Sequence, residues 1–207
     1  MRSSIAVFTS IVLAAAAPAS AHRLDEYLQA LRVDVRGEAV VLELDLTPGA
    51  NLAAEIVSVL DPDGVGAIDS IRSEAYAGEV GRSLELSIDG RRATIALVDR
   101  RFPSVDELRA GSGVIRVVMR AEVAHAGGAH QLRVENGFRS DVSVYLANGL
   151  RPDGRAVTVA SQRRDPSQRT LTLDYVVGAP LLTRFSVAWT SAALLLLGCG
   201  AYWRRGD

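Results

Sequence analysis

A period of two residues, repeated in segment after segment, is the property of this 207-residue chain that most narrows its possible folds. Alternating apolar and polar side chains are segregated on a strand that buries one face. The run Val40-Val41-Leu42-Glu43-Leu44-Asp45-Leu46 alternates most cleanly, and Tyr27 to Val35 precedes it with Leu31, Val33 and Val35 on one side. Arg36-Gly37-Glu38 between them is turn material, so the pattern predicts a β-hairpin. Leu84 to Ile88 and Ala93 to Val98 flank Asp89-Gly90. That dipeptide suits a type I′ turn, in which both central residues take positive φ. Gly113 to Val123, Gln131 to Glu135, Val142 to Leu146, Ala156 to Ala160 and Thr170 to Val176 bring the expected strands to about nine. Strands in succession joined by short turns predict a mostly β fold, an antiparallel β-sandwich.

Between the first hairpin and the second the period changes. Thr47-Pro48-Gly49 ends the hairpin, and Leu52, Ile56, Val57 and Leu60 then fall at helical spacing over Ala50 to Leu60. Asp61 to Asp69 is a loop. Ser70 to Val80 is helical again, with Ile71, Ala75, Tyr76 and Val80 assigned to one face and Gly81 as a stop. An EF-hand-like helix–loop–helix is thus expected as an insert over 48–82. Ser104 to Leu108, after Phe102-Pro103, is expected to form one helical turn capped by Ser104.

The two ends of the chain bear on compartment. Met1-Arg2, an apolar run from Ile5 to Ala17 and Ala19-Ser20-Ala21 have the order of a secretory signal peptide over 1–21, with the mature chain starting at His22. Phe185 to Trp203 is 19 residues without a charge, followed by Arg204-Arg205. As a helix it would be ~28 Å long, close to the ~30 Å hydrocarbon core of a bilayer. Trp189, Tyr202 and Trp203 lie near its ends, where amphipathic rings favour the interface. These signals predict a single-pass protein of the inner membrane. Its β-rich domain over 22–177 faces outward, 178–184 is a linker, 185–203 spans the bilayer, and 204–207 is a cytoplasmic tail. A linker of this length reaches under ~30 Å, so the domain would ride close to the membrane, with an integral-membrane protein as the expected partner.

Charge and cysteine content exclude some roles. The 23 basic residues, all arginine, include Arg2, Arg204 and Arg205, and the 24 acids include Asp207, so the exported part carries a net charge of −3 with histidine neutral. Neither charge nor compartment supports nucleic-acid binding. The single cysteine, Cys199, lies in the apolar run, so the exported domain has no disulfide and no thiol nucleophile. No Gly-x-Ser-x-Gly motif occurs, and no Ser or Asp stands at a telling distance from a histidine, so an enzyme is not expected.

Two groups of residues could hold a metal. Asp61, Asp63, Gly66 and Asp69 fall at positions 1, 3, 6 and 9 of a twelve-residue calcium loop, but position 5 is Val65 and position 12 is Arg72. Either the loop binds Ca²⁺ weakly, or its aspartates organise a turn and cap the second helix. His22 would carry a free α-amino group after cleavage, a pair suited to Cu(II) or Ni(II), and His125 and His130 bracket a glycine-rich loop that could join it. The alternative is that all three imidazoles are solvated. Arg163-Arg164-Asp165-Pro166-Ser167-Gln168-Arg169 is a basic turn. It would gain up to about 1 kcal/mol per arginine near an anionic surface, but it needs no such role as a plain hairpin turn.

Three stretches, Ala21-His-Arg-Leu-Asp-Glu-Tyr-Leu-Gln-Ala30, the insert at Asp61 to Arg72, and Glu135-Asn-Gly-Phe138 with Val144-Tyr-Leu-Ala-Asn148, resemble the extracytoplasmic N-terminal domain of HupE/UreJ-type membrane proteins and their single-span relatives. That resemblance implies a nickel- or cobalt-transport context. With one apolar span this chain would conduct no ion alone, so the expected function is a membrane-anchored binding or accessory module. Direct metal binding through His22, or through the acidic loop, is the alternative.

Overall fold

A computed structural model describes residues 25–123, 126–152 and 156–178. The expected signal peptide, His22, His125 and everything from the linker's second residue to the end of the apolar run lie outside the described residues. No helix among the described residues is long and apolar enough to cross a membrane.

The chain is mostly β. Strands β1 (Tyr27–Val35) and β2 (Ala39–Pro48) form the expected hairpin. Helices α1 (Ala50–Leu60) and α2 (Ser70–Arg82) follow, and then β3 (Leu84–Ile88), β4 (Arg91–Ala93) and β5 (Ala96–Arg101). A short helix α3 (Val105–Arg109) leads into β6 (Ile115–Glu122), β7 (Gly128–Asn136), β8 (Ser143–Gly149), β9 (Val157–Arg164) and β10 (Thr170–Val177). The strands make two five-stranded sheets, ordered β5-β6-β2-β1-β8 and β4-β3-β7-β10-β9. Pairing is antiparallel except between β1 and β8, which run parallel. The alternation does its expected work. Tyr27, Leu31, Val33 and Val35 of β1 and Leu42, Leu44 and Leu46 of β2 are buried in one core with Leu132, Val134, Leu171 and Leu173 of the second sheet.

Several local readings hold. Asp89 and Gly90 take φ of 50° and 76°, as the tight turn demands. Ser104 caps α3 in a reciprocal capping box with Glu107.

Three others are corrected. The segment expected as one strand over Ala93 to Val98 is two. β4 stays with β3, the chain crosses at Thr94-Ile95, and β5 joins the other sheet beside β6. Alternation continues through the crossing, so nothing local marks it. Ile71 is 79% exposed; the core face of α2 is Ser73, Tyr76, Ala77 and Val80. This face is a continuous row at helical spacing whose small members let the helix sit close. β9 extends to Arg164, into what the sequence presents as a basic turn.

The two open sides of the layered structure are closed differently. On one side the β4–β5 crossing joins the sheets covalently. On the other, the edge strands β8 and β9 are bridged by side chains. Gln162 accepts from the Gly149 amide at 3.1 Å, and Arg164 donates to the Ala147 carbonyl and to Asn148. Gly149 is needed there, because a Cβ would lie 2.6 Å from the Leu173 side chain of the opposite sheet. Such bridging occupies edge groups that would otherwise template pairing with another chain.

Register also fixes the two ends. Tyr27 pairs with Pro48 and Ser143, and its hydroxyl lies 2.7 Å from that of Tyr76 on α2, so β1 begins at the end covered by helices. The far end gathers the β1–β2 turn, the Asp89-Gly90 turn, the start of β7 and the close of β10. Val177 pairs with Gly128 and Tyr175 with His130, and Asp89 N–H bonds the Gln131 carbonyl. Arg36 and Gly37 share a groove there with Ala156 and Val157.

Candidate functional site

Gln29 from the first of the stretches behind the family resemblance and Asn136, Phe138 and Tyr145 from the third meet in space, and what they build is a joint. Gln29 and Asn136 are buried, at 0% and 2% exposure. Gln29 donates from Nε2 to the Phe138 carbonyl at 2.8 Å and to Ser143 Oγ at 2.6 Å, and its Oε1 accepts from Asn136 Nδ2 at 2.8 Å. Asn136 Oδ1 in turn accepts from the Phe138 amide at 3.0 Å, and the Tyr145 hydroxyl donates to the Phe138 carbonyl at 2.9 Å. Every polar atom of both amide groups thus contributes to locking β1 against the β7–β8 connection. This is how the fold tolerates a parallel β1–β8 pair whose strands are far apart in sequence.

The acidic loop is organised from within. Asp61 is 6% exposed and accepts from the amides of Val65 and Gly66 at 2.8 and 2.9 Å. Gly66 takes φ of 81°, the left-handed region a glycine reaches without strain. Asp69 caps α2, accepting from the Arg72 amide at 2.8 Å. The Arg72 guanidinium then bridges Asp69 at 3.1 Å and Asp63 at 2.9 Å. Asp63 and Asp69 therefore share an internal cation, while Asp61 turns to the backbone. Among the described residues no three histidine, cysteine, aspartate or glutamate side chains are grouped to hold a metal ion.

Of the three histidines, His130 alone lies among the described residues. His130 donates from Nε2 to the Ala126 carbonyl at 2.8 Å, which leaves Nδ1, 2.8 Å from Asp89 Oδ2, to donate to the carboxylate when the ring is protonated. The Asp89 hydrogen bond, with the Ala126 carbonyl, raises the imidazole pKa above its ordinary 6.5. The ring also lies 5.6 Å from that of Tyr175. A metal would have to displace one of these bonds. Tyr27, the first strand residue after His22, is at the opposite end of the structure.

A raised histidine pKa has a definite linkage sign. The stabilisation is complete below the unfolded value near 6.5 and is lost as pH rises through the folded value. Thermal unfolding should therefore fall in midpoint on going from about pH 6 to about pH 8, and His130→Gln should abolish that slope. An unchanged slope in the variant would remove His130 as its source.

A groove of about 820 Å³ lies on the crossing side, and its lining includes Asp89, Arg91, Arg92, Val98, Arg120 and Glu122. It forms because β4 has only three residues, so the edge of the second sheet stops short of β5 and β6. Arg120 is tied to Glu122 at 2.6 Å. Arg92 reaches Glu85 only at 3.6 Å, with both side chains largely in solvent. Arg91 makes no ion pair among the described residues. No sequence spacing announced this site, because its lining comes from separate elements. The one local signal was Arg91-Arg92 directly after a hairpin turn.

The other basic stretch is absorbed by the fold. Arg163 pairs with Asp174 at 2.6 Å, and Arg169 packs over the Tyr145 ring at 5.9 Å while donating to the Asn136 carbonyl. Comparison of the chain with family models, curated proteins and solved structures finds no match in any of the three.

Proposed function

We propose that this chain is a membrane-anchored, extracytoplasmic binding or accessory module, built as a β-sandwich that carries an EF-hand-like insert. The observation that carries this reading is the open groove beside the β4–β5 crossing. Apolar side chains, three arginines and two carboxylates line it; the carboxylates of Asp89 and Glu122 meet His130 and Arg120, which leaves the Arg91 and Arg92 guanidinium groups to grip an anionic surface or segment. The histidine and the loop aspartates are meanwhile engaged in holding turns. The tether is the apolar run over 185–203, and the metal-transport context comes from the HupE/UreJ resemblance. In the insert we read Arg72 as a resident cation between Asp63 and Asp69, filling the electrostatic role that Ca²⁺ has in a binding loop.

Direct metal binding is the second reading. The end-to-end separation of Tyr27 from His130 favours one form of it: a self-contained Cu(II) or Ni(II) site at the amino terminus of His22, without the other histidines.

Fractionation tests the first reading. The chain should remain with membranes after carbonate washing and begin at His22 by mass spectrometry; soluble chain retaining Met1 would overturn it. Calorimetric titration of the processed protein with Cu(II), Ni(II) and Ca²⁺ tests the second. Heat that disappears in His22→Ala supports it, and no heat with any ion removes it.

A further inference from the structure

We propose that the groove end of this domain, through Arg91 and Arg92, docks on the anionic headgroups of the bilayer in which the chain is anchored. The inference rests on the membrane tether proposed above. β10 closes at Val177 and Gly178, whose amide bonds the Ala156 carbonyl, so the chain leaves the domain at the end that carries the Asp89-Gly90 turn. From Gly178 only seven residues precede Phe185, a reach of under ~25 Å. A domain held that closely presents this end, and not its helical end, to the surface.

The charges at that end are unevenly satisfied. Asp34 is held by Arg36, Asp89 meets His130, and Glu122 is held by Arg120. Arg92 has only its loose contact with Glu85, and among the described residues Arg91, Arg151 and the opposing carboxylate of Glu38 have no ion pair. Arg91 and Arg92 are exposed and open β4 directly after the two-residue turn, so their backbone is fixed to the domain while both side chains reach solvent. An arginine near an anionic leaflet is attracted over about a Debye length, ~8–10 Å at moderate salt, within what the linker allows. The Arg163 to Arg169 stretch has no such part, since its turn lies at the helical end and its arginines are bonded to the protein.

The full chain reconstituted in nanodiscs decides this. In a Cys199→Ser background, a dye at Thr94→Cys in the groove wall and, separately, at Ser58→Cys on exposed α1 reports energy transfer to acceptor-labelled lipid headgroups. Transfer from position 94 should exceed that from position 58. It should rise in phosphatidylglycerol discs over phosphatidylcholine discs, and Arg91→Glu with Arg92→Glu, or about 0.5 M salt, should cancel the rise. Equal transfer in the two lipids, a rise that survives the charge reversal, or a higher signal from position 58 would each overturn the docking and leave the tether standing. Release of the chain by carbonate would overturn the tether, and the docking with it.

Discussion

Gln29→Ala should lower the free energy of unfolding by about 3 kcal/mol, a large share of what holds a domain of this size together. The substitution removes a side chain with no exposure and leaves a cavity beside Phe138. It also strands Asn136 Nδ2, whose acceptor is Gln29 Oε1, in a place water does not reach. Orphaned buried donors cost about 1–3 kcal/mol each, and the lost packing adds to that. Asn136→Ala should cost a similar amount, and the double variant markedly less than the sum, because both changes break the same network. Chemical denaturation of the three variants gives the coupling energy directly. A loss under about 1 kcal/mol for Gln29→Ala, or strict additivity, would mean that the network does not act as a unit.

The second large effect is alkaline unfolding. Burial pushes the Tyr76 phenol up to about 12, and burial together with neighbouring Tyr76 raises Tyr27 well above its ordinary 10. An acid with a raised folded pKa stabilises the protein fully below its unfolded value, and that stabilisation is lost as pH rises. Stability should therefore hold to about pH 10 and then fall by about 3 kcal/mol for Tyr76 alone by about pH 12, at roughly 1.4 kcal/mol per pH unit. Ultraviolet absorbance should show these tyrosines ionising with unfolding and not before it. Tyr76→Phe should flatten the curve above pH 10, at the cost of leaving the Tyr27 hydroxyl without its 2.7 Å partner. Ionisation of Tyr27 or Tyr76 in a still-folded chain at about pH 10 would refute the account.

How far the sequence could be read depended on the range of the interaction involved. The β1–β2 hairpin, the Asp89-Gly90 turn, both insert helices and the Ser104 cap depend on residues within a few positions of one another, and each is found. The aspartate cap on α2 and the mismatch of Arg72 with a calcium cage were also visible, because the loop is one contiguous segment. Ile71 was assigned to the wrong face, since counting apolar residues does not say where the second sheet lies. The role of Gln29 and Asn136 was hidden. They are 107 residues apart, and a lone amide side chain in a strand pattern looks like any surface position.

Alternation alone was enough to make this chain a mostly β structure with a helical insert, because the energetics of burying one face of a strand or helix are settled within that element. The strand order was decided only when the elements packed together. So were the parallel β1–β8 pair, the crossing at Thr94-Ile95 that opens the groove, and the opposite placement of Tyr27 and His130. Those features arise from contacts between residues far apart along the chain, and no short window of sequence records which distant partner a strand edge or buried amide will find.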